Sequence, residues 1–514
     1  MKLFLIILMC MSLLASGKVV GYERPSIYPK SGMYSLWVNS TAMQIVAYSG
    51  YDYVQLSMSE GYPTEFRLRV IPGGNVDSYN ISPEKWQIKP KKDGKDLVFS
   101  VVDAHYLIIT INGIKEIVIC ADPLETDVPP SSGPGIFNVL NYGADNTGVT
   151  LNIGIQSALD AAGKSPGSIV YVPAGVYKAG NLKVRSQTSL YLAGGSVIRN
   201  TGIKSDYTIH YNKTGLLPGT WWISTEFNSK DIKIYGRGTI DGQGGIGRVD
   251  NDFIADMVVP VDTAHFIFDG PLIRDSSFWA LTPIQSTDVA LKNVKILNRF
   301  DIGYEDDGID VMESTNVRTY RAIAISKDDC FSTKTWPKDI GTTVPYPHDP
   351  MPLDNVIFDD CVAWTQCYGY KIGQGVYEDQ SNVVFKNSVV YKGAVGIGID
   401  HKFGSAKVSD VTFYNIEIEH ISGLAGDKCS WLDLYIQQPG TAGAGPIEGV
   451  KINDIKVNSK GTQGAYIQGY NSANTISDVT LQNIYMLRQT TPAKTFAEMD
   501  ITHMDFSSNV KIVT

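Results

Sequence analysis

The chain has 514 residues, enough for roughly two to four domains and a large buried core. Its 44 Lys+Arg against 53 Asp+Glu leave a net charge of −9, which argues against a nucleic-acid binder. With 43% hydrophobic and only 19% charged residues the chain is not a disordered one. Forty-nine glycines and 28 tyrosines, with few helical patterns, point to a strand-rich and turn-rich protein.

The chain opens with MKLFLIILMCMSLLASG, in which an apolar run from Leu3 to Leu14 follows one lysine and ends at Ala15-Ser16-Gly17. That run is short for a bilayer span and reads as a signal peptide over 1–17, so a secreted, extracellular or periplasmic protein is expected, with no membrane contact once the leader is removed. Five cysteines then remain: Cys120, Cys330, Cys361, Cys367 and Cys429. Their odd count leaves at least one free thiol if the others pair, and without a CxxC pair a structural zinc site has no support. Asn39, Asn80 and Asn212 head N-x-S/T sequons.

Residues 18–128 alternate apolar and polar side chains, as in Tyr34–Val38, Phe66–Val70, Leu97–Val101 and Tyr106–Ile111. This period of two predicts a small β-sandwich. A Pro/Gly/Ser linker over 129–135 follows, and Ile155, Leu159 and Ala162 then predict one helix stopped by Gly163.

Beyond it a phrase recurs: Asn or Asp, an apolar anchor, any residue, an apolar residue, any residue, then Asn or Asp and an apolar residue again. The anchors Val289, Val317, Val356, Val383, Val411, Val450 and Val479 are spaced by 28, 39, 27, 28, 39 and 29 residues. Such periods signal stacked repeats. Short strands with no helix in the unit predict an all-β fold, a right-handed parallel β-helix over 136–514 capped by the helix. No LxxLxL frame recurs, and 28 residues are too few for a four-stranded propeller blade. The two long steps predict excursions at 335–352 and 421–447.

Two phrases carry chemistry: Tyr304-Glu-Asp-Asp307-Gly-Ile-Asp310-Val, and Ser326-Lys-Asp328-Asp329-Cys330. Asp307 and Asp328 are 21 residues apart, about one coil, so they are expected roughly one strand spacing (~4.8 Å) from each other. Carboxylates so crowded repel, and some are pushed towards their protonated form, which separates an acid from a base. Asp359-Asp360-Cys361 repeats the Asp-Asp-Cys text without an Asp-Gly-Ile-Asp partner, as a structural turn would. Asp306-Asp307-Gly opens like a calcium loop but lacks the remaining frame. The seven histidines form no metal-ligand pair, and no P-loop or GxSxG elbow occurs, so neither a metal nor a cofactor is expected.

Asp307-Gly-Ile-Asp310-Val followed by Asp328-Asp329-Cys330 resembles the signature of family 28 glycoside hydrolases, the polygalacturonase family, and Gly236–Gly244 is similar to its upstream text. The resemblance implies a parallel β-helix and inverting hydrolysis, with Asp328 as general acid and Asp307 and Asp329 holding the attacking water. It departs at two places. Cys367-Tyr368-Gly369 stands where that family has Gly-His-Gly, and Gly398-Ile-Asp400 where it has an Arg-Ile-Lys clamp for uronate carboxylates. The clamp cations are thus missing, which implies a substrate other than plain homogalacturonan, although His401 and Lys402 lie just beyond. The expected substrate-binding residues are Asp310, Lys334, Trp336, Tyr368, Lys371, Asp400, His401 and Lys402. Trp279, Trp364 and Trp431 also lie on or near the excursions; cleft placement and sugar stacking would suit Trp431 as well as Trp336, and packing of loops onto the coil is the alternative for each of the four. The domain order is also similar to the dextranase-like family 49. A β-helix polysaccharide lyase and a non-catalytic carbohydrate-binding protein are the competing readings. The expected partner is a polysaccharide or oligosaccharide, and the expected state a monomer.

Overall fold

The computed structural model describes residues 17–213, 217–423, 429–437 and 442–513. The expected leader lies, except for Gly17, outside the described residues, as do parts of the 421–447 excursion. No helix among the described residues is long and apolar enough to cross a membrane.

The N-terminal part is a β-sandwich of two antiparallel-rich sheets. Tyr34–Val38, Thr64–Val70 and Asp96–Val101 form the centre of one; Tyr51–Met58, Glu116–Pro123 and Tyr106–Ile111 form the centre of the other. Leu36, Phe66, Leu68, Phe99, Leu107, Ile109, Ile117 and Ile119 fill the space between them. The alternation read for Tyr106–Ile111 has a further cause. Its opposite face is buried too, because Tyr106 and Ile108, with Val118 and Cys120, pack on Leu297, Ile323, Ile325 and Trp364 of the second part. The joint also holds Arg274, whose guanidinium lies 4.0 Å from the Tyr28 ring and 4.2 Å from the Tyr48 ring. Arg274 donates to the Tyr53 hydroxyl at 2.7 Å.

The second part is the right-handed parallel β-helix. Every predicted anchor meets the next: Val289 faces Val317, then Val356, Val383, Val411, Val450 and Val479 in consecutive rungs. The residue before each anchor is explained by the backbone, Asn or Asp before six of them and Gly449 before Val450. Asp288, Asn316, Asn355, Asn382, Asp410 and Asp478 have φ of 53–57°, the left-handed region these side chains tolerate best. They also bond along the stack: Asn316 donates to Asp288 at 3.0 Å and Asn355 to Asn316 at 2.7 Å. Inside the coil Phe358, Phe385 and Phe413 stack at 5.1 and 5.2 Å. The helix spans Gly154–Ala162 and buries Ile155, Ala158, Leu159 and Ala162 against the first coil.

A separate seven-stranded parallel sheet forms one wall of the coil: Ile309–Met312, Phe331–Thr335, Tyr368–Val376, Val395–Phe403, Ser430–Ile436, Ala465–Gln468 and Ile501–His503. Alternation sends Ile309, Val311, Phe331, Tyr370 and Ile372 inward. Asp310, Ser332 and Lys371 are thereby turned outward on adjoining rungs. Cys120, Cys330, Cys361, Cys367 and Cys429 are all free, so no disulfide forms among them.

Candidate active site

The predicted aspartates meet on this wall. Ile309 lies beside Phe331, so Asp307 faces Asp329, and Asp328 sits one residue before it. Gly308 permits the approach. A Cβ there would stand 2.3 Å from the Cys330 carbonyl, and its N–H donates to the Asp329 carbonyl at 2.9 Å. Asp307, Asp328 and Asp329 line a cleft of about 680 Å³, together with Lys334, Lys371 and Cys367. Trp279, Trp336, Tyr377, Phe403 and Ile340 make its apolar wall.

Two buried ammonium groups order the carboxylates. Lys334 Nζ lies 2.6 Å from Asp307, 2.7 Å from Asp310 and 3.8 Å from Asp329. Lys371 Nζ lies 3.0 Å from Asp329 and 3.9 Å from Asp400. Asp328 differs. It takes part in none of the ion pairs of the described residues; its carboxylate accepts backbone N–H groups of Glu305 and Asp329, both at 3.0 Å, and meets the Cys367 thiol. Burial, then the Asp329 charge, push its pKa up, against the pull of Lys371 and Lys334. Burial and Asp310 likewise push Asp307 up, while Lys334 opposes them. The Cys367 thiol and the Asp328 and Asp329 carboxylates place ligand atoms within 4.8 Å of one another.

The other expected residues divide. Asp310 lies beneath the cleft, bonded by Ser332 and Lys334. Trp336 is in the wall, 5.8 Å from Phe403. Four residues expected at the sugar are placed elsewhere. Tyr368 is buried and donates its hydroxyl to Asp433. Asp400 is buried, accepting from Gln374 at 3.0 Å and Gln437 at 2.5 Å. His401 turns to the opposite side of its strand, where Nε2 meets the Ala406 carbonyl at 2.9 Å. Lys402 lies over the Phe403 ring rather than in the lining.

Two tryptophans are likewise elsewhere than sugar stacking would need. Trp431 is 0% exposed inside the coil, its indole donating to the Met499 carbonyl at 2.8 Å. Trp364 packs at the joint with the sandwich, 5.4 Å from Tyr51.

Lys213 and Glu305 were not singled out from the sequence. They form an ion pair on the cleft rim, and burial lowers Lys213 to about 8. Glu305 adjoins the aspartate phrase; Lys213 lies about a hundred residues upstream with no motif around it.

Carboxylates gathered in one groove, some of them with raised pKa, are the groups that acid–base hydrolysis of a glycosidic bond uses. The model of glycosyl hydrolases family 28 matches residues 167–503, well over half of the chain. The chain belongs to glycosyl hydrolases family 28. An exo-poly-alpha-D-galacturonosidase of Dickeya chrysanthemi is 34% identical over 122 residues, 22% of this chain and 20% of that protein. Probable exopolygalacturonase B of Aspergillus flavus is 23% identical over 307 residues, 53% of this chain and 64% of that protein. The aligned segments therefore span less than two thirds of these relatives. Among solved structures, the family 28 exopolygalacturonase of Yersinia enterocolitica is 14% identical, with 96% of each chain covered and a TM-score of 0.50. Dex49A from Penicillium minioluteum is 12% identical, with 95% of this chain and 96% of that one covered and a TM-score of 0.56. These two likenesses are of fold and extend over the sandwich as well as the coil.

Proposed function

We propose that the protein is a secreted glycoside hydrolase that cleaves an O-glycosidic bond of a polysaccharide with inversion at the anomeric carbon. The observation that carries this reading is the division of labour in one cleft. Burial raises both Asp328 and Asp307, but Asp328 alone of the three has no ammonium at hydrogen-bond distance, which suits a proton donor. Asp329 lies against Lys371, and Asp307 against Lys334, which suits groups that hold and deprotonate water. In the step, Asp328 gives its proton to the glycosidic oxygen as the C–O bond breaks. Water attacks from the opposite face and loses its proton to Asp329, with Asp307 positioning it.

The substrate is a sugar other than plain homogalacturonan. A uronate needs a free cation, and here Lys334, Lys371 and Lys213 are each committed to a carboxylate of the protein. A side chain at Gly398 would meet the Tyr368 ring at 2.9 Å, so a clamp cation has no room there. The aromatic wall suits the apolar face of a sugar ring. The same features favour, as a second reading, a neutral-glucan hydrolase with the domain order of the dextranase-like enzymes.

The test is release of reducing ends from pectins, rhamnogalacturonan, dextran, other α-glucans and galactans, with Asp328→Asn as the blank. Proton NMR of the first product anomer reads the stereochemistry. Retention would remove the mechanism; an unsaturated product absorbing in the near ultraviolet would make the protein a lyase; cleavage of polygalacturonate ahead of every neutral polymer would remove the substrate assignment.

A further inference from the structure

Lys371 is enclosed by this chain's own groups. Its ammonium lies 3.0 and 3.3 Å from the two Asp329 oxygens, 3.9 Å from Asp400 and 4.5 Å from the centre of the Tyr368 ring. Its side chain is 4% exposed. The cage is itself braced: Gln374 and Gln437 hold Asp400, and Asp433 holds the Tyr368 hydroxyl. Nothing rises from Gly398 to compete, because a Cβ there would stand 2.5 Å from the Asp433 carbonyl and 2.9 Å from Tyr368. Tyr368 and Asp400, two positions expected to reach out to the sugar, are turned instead onto one lysine.

We propose that Lys371 is a positioning residue for Asp329, pairing with that carboxylate and holding both its oxygens oriented, with Asp400 and the Tyr368 face as its fixed counter-charge and platform. The proposal rests on the hydrolase reading for its catalytic meaning, but the pairing of Lys371 with Asp329 stands on geometry alone. The groups facing Asp329 are Asp307, Asp328, Lys334 and the Cys367 thiol; those facing Lys371 are Asp329, Asp400, Asp328, Lys334, Cys367 and Tyr368. Without Lys371 the only other ammonium paired with Asp329 among the described residues is Lys334, at 3.8 Å and already engaged by Asp307 and Asp310. A buried carboxylate so placed, beside two others, takes up a proton and ceases to be a base.

Wild type, Lys371→Met, Lys371→Arg and Lys371→Met/Asp329→Asn are compared as full-length proteins in two arms. In thermal unfolding from pH 5 to 8.5, the Lys371→Met deficit should widen as pH rises, because Asp329 must then ionise unpaired. Adding Asp329→Asn should remove much of that pH-dependent part, and Lys371→Arg should restore most of it. A deficit equal at every pH, or one untouched by Asp329→Asn, overturns the proposal.

In the kinetic arm the probes are polygalacturonate, rhamnogalacturonan and dextran. Lys371→Met should lower kcat about tenfold or more with KM nearly unchanged, and should move the low-pH limb of the profile upward by about one unit. A raised KM with unchanged kcat would make Lys371 a substrate contact and overturn the proposal. If wild type releases no reducing ends from these probes, from other α-glucans or from galactans, the hydrolase reading falls, and the unfolding arm alone decides whether Lys371 holds Asp329.

Discussion

Lys334 and Asp307 form an ion pair of 2.6 Å in which the two side chains are 6% and 4% exposed, and Asp310 shares the same ammonium at 2.7 Å. Removing the cation strands two buried carboxylates. Lys334→Met should therefore cost about 3–5 kcal/mol. Urea unfolding at pH 5 and pH 8 checks this, with the larger loss at pH 8, where the stranded acids must ionise.

Asp328→Asn should lower kcat by roughly 10²–10⁴-fold. Its unfolding temperature should stay close to that of wild type, because the carboxylate is held by two backbone N–H groups and the Cys367 thiol rather than by a cation, and an amide oxygen can partly satisfy these donors. The raised pKa fixes the sign of the pH dependence. The donor is lost as pH climbs through it, so the wild-type profile should fall on its alkaline side, beyond the ordinary carboxylate range. A profile falling only on its acid side would exclude Asp328 as the donor.

The two tryptophans once alike as stacking candidates should now part company. Trp336→Ala should raise KM while leaving stability little changed, since its ring lines the cleft. Trp431→Ala should cost about 3–5 kcal/mol through the cavity left in the coil. Chemical unfolding beside Michaelis kinetics separates the two effects.

Burial raises Asp256 to about 8, with Tyr211 donating to it at 2.7 Å. A carboxyl whose folded pKa exceeds its unfolded one lends stability below the unfolded value and loses it as pH rises through the folded value. Asp256→Asn keeps an acceptor for Tyr211 and removes this titration. The stability of Asp256→Asn relative to wild type should rise from pH 5 to pH 8; a flat difference would mean that Asp256 stays ionised.

The coil was legible because each rung repeats one requirement: an apolar anchor inward, and before it a residue that accepts positive φ. Asn316, Asn355 and Asn382 announce both at once. The aspartate cluster was legible for the same reason, since the Asp-Gly-Ile-Asp and Asp-Asp-Cys phrases fall on consecutive rungs. What escaped is the direction of side chains that leave the regular strand. Asp400 and His401 are neighbours in sequence, yet alternation sends them to opposite faces, and neither lines the cleft. Trp431 reads like a loop aromatic but points into the coil, because the excursion around it contains a core strand. Lys213 reaches the cleft across a fold contact that no local spacing encodes.

The seam at Arg274 bears on how the protein can be cut. Tyr28, Tyr48 and Tyr53 close around a guanidinium that belongs to the coil, and Ile108, Val118 and Cys120 lean on its outer wall. The sandwich is accordingly a buttress rather than a swinging appendage. Trimming it away would bare a broad greasy flank and an orphaned arginine, so the isolated coil should be prone to precipitate even with its groove intact.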